Sequence, residues 1–450
     1  MNQKVDFLIR YEHKIRELES VMLLKLELER RGYTVGLVCN YEHRHDYEPK
    51  VLIVPAGYYT EHFMYEMCKY SIRKIANLQL EQLFQSRNEE NLDSPFNIYG
   101  YGRKILHFLW GKQVQHRLCY GGLDVAHTVI TGQLNTDLLR GKFKDQLITK
   151  ETLACRYNLD FQKKWYLFLS SFAYCNMDAI QVHLTKKVLG LESYNYFKQL
   201  SDESRDSILR WFQNALMTHP DTIIIYRPHP DELNDEQLMQ MVRDYPNFYV
   251  IADLAMKHWV NACDKVYNWY STGQVDVVLL HKPYRFLRPY VIKEDVDYKL
   301  FLGMDSIKDA QAFQDDFTNM EYRDIINKSL FDSYYYIPQN YIYQNICDYL
   351  EQMLLTDKYD IKLNFKENLY VGLLTNKIRL IDAMKKSIGK NLFMNIKNML
   401  KPVRSIDIEF QKAIADNFDK NVANQKDIDE IEARLKPLIY GAQNETYIED

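Results

Sequence analysis

The stretch Ile-Ile-Ile-Tyr-Arg-Pro-His-Pro, residues 223–230, decides how the rest of the chain is read. Three isoleucines and a tyrosine in an unbroken run mark a strand buried on both faces, as in a parallel sheet. Pro228 and Pro230 then fix their own φ and push the preceding residues away from the helical region. His229 is thereby expected in a rigid extended turn at the carboxyl end of the strand. An imidazole N–H placed there can donate to a phosphate oxygen, and Arg227 offers a forked donor beside it. The same residues also suit a structural turn with a solvent-facing histidine, so a second element is needed to choose.

That element is Tyr-Asn-Trp-Tyr-Ser-Thr-Gly, residues 267–273, followed by Gln-Val-Asp-Val-Val-Leu-Leu-His-Lys-Pro to 283. A strand enters a Ser-Thr-Gly turn and a helix leaves it. Helix N-termini carry unpaired N–H groups and partial positive charge. Ser271 and Thr272 add hydroxyls, and Gly273 would allow a close phosphate approach. Either hydroxyl also serves as a simple N-cap. Chain order suggests that the two motifs lie on neighbouring strands of one sheet.

Working outward, apolar runs at 5–9, 33–38, 50–55, 74–78 and 128–130 alternate with helical patterns at 17–31, 63–73 and 110–118. A second alternating series has strands at 165–170, 222–226, 248–251, 265–270 and 284–287. Its helices fall near 202–218, 235–244 and 275–281. Alternation of this kind gives parallel sheets with helical crossovers. The expected fold is α/β, with two Rossmann-like parallel-sheet domains facing a cleft and a helical C-terminal extension. The expected boundaries are 1–155 for an acceptor-binding domain, 156–340 for a nucleotide-donor domain and 341–450 for the extension.

Composition narrows the class. Of 450 residues, 46% are hydrophobic and 26% charged, which suits a folded globular chain. A formal net charge of −4 gives no footprint for nucleic acid. The seven cysteines form no C-x-x-C pair and read as reduced thiols, which with the charged N-terminal stretch points to a cytoplasmic protein. No metal signature, Walker motif or G-x-G-x-x-G is present, so neither a metal site nor a resident cofactor is expected.

The Arg-Pro-His-Pro turn followed by strand, Ser-Thr-Gly, helix, Lys-Pro and strand resembles the His-Pro and Ser/Thr motifs of bacterial surface-polysaccharide transferases. These include sialyl- and polysialyltransferases, β-Kdo transferases and CDP-glycerol glycerophosphotransferases. The opening Val-Asp-Phe-Leu-Ile-Arg-Tyr-Glu-His-Lys at 5–14 and Ile-Ala-Asn-Leu-Gln-Leu-Glu-Gln at 75–82 resemble a family of surface carbohydrate biosynthesis proteins. The resemblance spans roughly residues 1–300. It implies a GT-B glycosyltransferase whose donor is a cytidine nucleotide carrying a sugar of the Kdo or sialic-acid type. It also implies a glycan or lipid-linked acceptor for capsule or lipopolysaccharide synthesis. His229, Ser271 and Thr272 would bind the donor phosphate, with Arg227, Gly273, Ser170 and Ser171 around them.

Catalytic candidates sit past strand ends of the first domain: Glu12, His13, Glu61 and Glu81. One of them would deprotonate the acceptor hydroxyl; Glu12 is favoured because its loop precedes the first helix. Three other readings share the motifs: a CDP-polyol phosphotransferase, a nucleotide-sugar epimerase of the same fold, and a non-catalytic envelope-assembly scaffold. Residues 384–404 read as an amphipathic helix, with Lys386, Lys390, Lys397 and Lys401 opposite apolar residues. Such a helix suits either peripheral contact with the inner membrane or an ordinary docked bundle.

Overall fold

The structure, a computed structural model, describes residues 3–42, 47–57, 67–230, 232, 236–388 and 420–441. The chain divides into two compact units, Met1–Phe143 with Asp332–Asp450, and Lys144–Phe331. The junction expected at 155 falls in the helix Lys150–Tyr157, which belongs to the second unit.

The first unit is built on six parallel strands: β1 (Gln3–Tyr11), β2 (Val35–Cys39), β3 (Tyr47–Val54), β4 (Ile75–Asn77), β5 (Leu106–Leu109) and β6 (Thr128–Ile130). Their order is β2-β1-β3-β4-β5-β6. The order reverses between β1 and β3, and such a switch point opens a crevice at the strands' carboxyl ends. The helix Lys14–Arg30 leaves β1 and buries Leu18, Val21, Met22, Leu24 and Leu28 against the sheet.

The C-terminal segment completes this unit. The helix Ile342–Leu355 places Ile342, Ile346, Leu350 and Met353 in the same core as Leu24 and Leu28. The helix Gln425–Gly441 adds Leu435 and Ile439, and Lys14 pairs with Asp427 at 3.1 Å. These described helices of the C-terminal segment are therefore an integral layer of the first unit.

The second unit has β7 (Lys164–Leu169), β8 (Thr222–Arg227), β9 (Phe248–Val250), β10 (Lys265–Asn268), β11 (Tyr284–Leu287) and β12 (Ser306–Ile307). All pairings are parallel, in the order β12-β11-β10-β7-β8-β9. The switch point lies between β7 and β10. The 28-residue helix Leu191–Thr218 packs Phe197, Ile208, Phe212 and Ala215 onto Phe168 and Tyr226. Two Rossmann-like sheets with flanking helices and a helical C-terminal extension constitute the GT-B-type α/β architecture.

Candidate functional site

Three strands of the second unit end level with one another. Leu169 of β7 pairs with Arg227 of β8 on one side and with Asn268 of β10 on the other. Ser170, Pro228 and Trp269 thus leave the sheet along one edge. The His229 and Ser271 motifs are not on adjacent strands, as chain order suggested, because β7 lies between them.

The turn after β8 is held from below by Glu232, which is 7% exposed. Its carboxylate accepts from Ser170 Oγ and Tyr226 OH, from the backbone N–H of His229 at 3.2 Å and from that of Phe172 at 3.3 Å. Its own N–H donates to His229 O at 2.9 Å, closing the turn. Burial pushes the Glu232 carboxyl up, and the donors from Ser170, Tyr226 and His229 oppose that shift. One side chain therefore ties the ends of β7 and β8 together and seats His229, which is half-buried.

Ser170 is committed to that carboxylate, so its hydroxyl ends the strand. Ser171 is half-buried beside it. Arg227 is committed as well. Its guanidinium donates to the carbonyls of Ile251 (3.4 Å), Asp253 (2.8 Å) and Leu254. Leu254 sits at φ 63°, a left-handed conformation costly for a bulky side chain, and Arg227 fastens it there. Burial brings the Arg227 pKa down to about 10. The arginine orders the loop after β9 in this structure, where the sequence suggested a phosphate ligand.

The turn after β10 has its own buried organiser, Asn268. Its Oδ1 accepts from Ser271 N–H at 2.7 Å, and its Nδ2 donates to Ser271 O at 2.9 Å and Gln274 Oε1 at 3.0 Å. Ser271 Oγ accepts from Gly273 N–H at 3.2 Å, a contact within the turn that precedes the helix. Thr272 is half-buried beside it. Gly273 has an ordinary helical φ of −63°, and a Cβ there would meet the Met256 thioether at 2.4 Å. Packing against Met256 accounts for this glycine. Arg288, another residue past a strand end, is paired with Asp297, its Nη2 to Oδ1 distance being 3.2 Å.

In the first unit, three of the four candidate acid–base residues gather around one arginine. Glu12 and His13 follow β1, beside the switch point, and their backbone N–H groups donate to Glu17 Oε2 at 2.7 and 3.2 Å. Arg16 reaches Glu17 Oε1 at 3.0 Å and Glu81 Oε2 at 3.2 Å. Burial raises the Glu12 pKa; His13 and Arg16 lower it, while Glu17 and Glu81 add to the rise. His13 Nδ1 lies 3.2 Å from Asn421 Oδ1 of the C-terminal segment. Glu61 lies outside the described residues.

Beneath Glu81 is a buried polar network the sequence did not announce. Asn77 Nδ2 donates to Gln79 Oε1 at 2.6 Å and contacts His107 Nδ1 at 3.0 Å. His107 Nε2 lies 2.7 Å from Gly102 O, so the proton sits on Nε2 and Nδ1 accepts. Gln79, at φ 47°, donates to Glu81 O at 3.1 Å. Desolvation brings the His107 pKa down to about 4.

Among the described residues no group of three or more His, Cys, Asp and Glu could hold a metal ion. No helix among them is long and apolar enough to cross a membrane.

No family model and no curated protein matches the sequence. Solved structures do resemble the fold. The wall teichoic acid polymerase TagF matches at 11% identity and a TM-score of 0.50, over 78% of this chain and 89% of that one. The UDP-GlcNAc 2-epimerase from Methanocaldococcus jannaschii matches at 11% identity and a TM-score of 0.46, over 78% of this chain and 99% of that one. The S. aureus protein MnaA, solved with UDP, matches at 11% identity and a TM-score of 0.44, over 78% and 97%. At these identities the likeness is one of fold alone.

Proposed function

We propose that the chain is a glycosyltransferase of surface-polysaccharide synthesis that handles a cytidine-activated acidic sugar of the Kdo or sialic-acid type. His229, Ser271 and Thr272 take the donor phosphate at the carboxyl ends of β8 and β10. A negatively charged leaving phosphate is met by the imidazole N–H and the hydroxyl and backbone donors of the turn after β10. In the first unit Glu12 accepts the proton of the acceptor hydroxyl as that oxygen bonds to the anomeric carbon and the cytidine nucleotide departs. His13 and Glu81 sit beside it. A carboxylate raised by burial is a better base than an exposed one.

The observation that carries the reading is the level ending of β7, β8 and β10, with a dedicated buried side chain under each outer turn, Glu232 and Asn268. A thermal-shift series with CMP, CDP, UDP and GDP tests it. Saturating CMP or CDP at a hundredfold excess over Kd should stabilise the protein by about 2.7 kcal/mol. His229→Ala should abolish that gain. Stabilisation by UDP alone would favour epimerase chemistry, and no response to any nucleotide would refute the enzyme reading. A response to CDP with turnover of a CDP-polyol would replace sugar transfer by polyol-phosphate transfer in the same pocket.

A further inference from the structure

The helix Phe365–Ile388 has two apolar faces, and the core uses only one of them. Asn364 and Glu367 start it with a reciprocal cap, Asn364 N–H to Glu367 Oε2 at 2.7 Å and Glu367 N–H to Asn364 Oδ1 at 2.9 Å. Lys104 Nζ fastens Glu367 Oε1 at 3.0 Å. Val371, Leu374 and Ile378 then pack onto Met67, Cys68, Tyr70 and Ile72. That docking fixes which side faces outward.

The outward side is mostly apolar, with the exposed Asn376 the polar residue among its described members. Phe365 is 83% exposed, Leu369 57%, Leu373 63% and Leu380 63%. At 100° per residue these four fall within one narrow stripe, and Lys366 and Lys377 run along its edge. The acid Glu367 falls away from the stripe and is held by Lys104. Scattered exposed leucines need no explanation, but four large apolar side chains on one helix face, edged by lysines, do.

Charge selects the occupant. Residues 365–388 carry five Lys or Arg against two Asp or Glu, in a chain whose formal net charge is −4. The positive charge is thus concentrated on the segment that bears the exposed apolar stripe. A bilayer with anionic headgroups meets both features, taking the stripe into its acyl boundary and the lysines at its surface. We infer that the helix Phe365–Ile388 lies in the plane of an anionic phospholipid surface, with Phe365, Leu369, Leu373 and Leu380 inserted. This contact is independent of the donor chemistry proposed above. It lies N-terminal to the 384–404 stretch that the sequence suggested, of which 389–404 is outside the described residues.

The test is vesicle sedimentation of the full chain. Wild type should pellet with mixed phosphatidylcholine–phosphatidylglycerol vesicles and not with pure phosphatidylcholine, and salt should release it. The triple variant Leu369→Ser, Leu373→Ser, Leu380→Ser should bind at least about tenfold more weakly, because each exposed leucine adds apolar area to the membrane contact. Its melting temperature should be unchanged, since these side chains are outside the core. Lys366→Glu with Lys377→Glu should weaken binding to the anionic vesicles by roughly fivefold or more per site. Equal pelleting of wild type and triple variant would overturn the inference, as would equal binding to both vesicle types. A lipid-free dimer that the leucine variant abolishes would overturn it too, by assigning the face to a second copy of the chain.

Discussion

Replacing Glu232 separates an organiser of the site from a bystander. Its carboxylate receives two hydroxyls and two backbone N–H groups, from Ser170, Tyr226, Phe172 and His229. In Glu232→Ala the hydroxyls can rotate toward other acceptors, but the N–H groups of Phe172 and His229 cannot. Each buried donor left without a partner costs about 1–3 kcal/mol, so the loss should be about 4 kcal/mol. Glu232→Gln keeps an acceptor oxygen at the Oε2 position for both N–H groups and for Ser170. Its amide nitrogen can donate to the Tyr226 oxygen. That variant should stay within roughly 1.5 kcal/mol of wild type, because it also removes a buried charge. For a unit the size of Lys144–Phe331, 4 kcal/mol corresponds to a Tm decrease of roughly 8–16 °C. Differential scanning calorimetry should show the transition of this unit falling in Glu232→Ala and nearly holding in Glu232→Gln. Nucleotide affinity should follow the same order, since His229 loses its seat only in the alanine variant. Equal melting of the two variants would refute the argument that the carboxylate's acceptor oxygens hold the turn.

Three further outcomes are expected. His107 is brought from 6.5 to about 4, so it stays neutral in the folded protein while the unfolded chain takes up a proton as pH falls through 6.5. Stability should therefore be whole above pH 6.5 and decline by about 3 kcal/mol as pH drops toward 4. Urea midpoints across that window should show the slope, and His107→Asn should flatten it; an equal slope in both proteins would contradict the assignment. Asn268→Ala leaves Ser271 N–H without its acceptor and should cost about 1–3 kcal/mol while weakening nucleotide binding; retained affinity would show that the turn after β10 is not part of the donor site. Glu12→Gln should lower transfer by about 10²–10⁴-fold. Because burial raises the Glu12 pKa, the acid limb of the wild-type kcat/KM profile should lie above the ordinary carboxylate value of 4.5. The active form is the deprotonated one, so activity falls as pH drops through that limb. An unchanged rate in Glu12→Gln would move the base to His13 or Glu81.

Most of the sheet was legible because its strands are short runs of β-branched and aromatic residues. The expected strands at 128–130 and 284–287 coincide with β6 and β11. β5 was not read, since Leu-His-Phe-Leu carries a histidine whose burial depends on Asn77 and Gly102, partners distant in sequence. β12 has only two residues and offers no periodicity. The C-terminal helices were legible as helices. Their membership of the first unit was not, because it rests on Leu24 and Leu28 meeting Ile346 and Leu350. Glu12, His13 and Glu81, each picked singly as lying past a strand end, are drawn together by Arg16 and Glu17, a grouping that sequence distance hides. The hydrogen bonds of Arg227 to the carbonyls of 251–254 and of Ser170 to the Glu232 carboxylate were not legible, because their partners are distant in sequence or reached only through the turn. Glu232 itself lies three residues after His229, a spacing at which a turn can fold a side chain back beneath its own start. That spacing was the available signal.

A crystal structure of the chain with CDP tests the central proposal most directly. The expected result is a phosphate group within hydrogen-bonding distance of His229 and of Ser271 or Thr272, beyond the ends of β8 and β10, with Glu232 still beneath the turn. Nucleotide density elsewhere on the chain, with the His229 turn empty at saturating CDP, would contradict it.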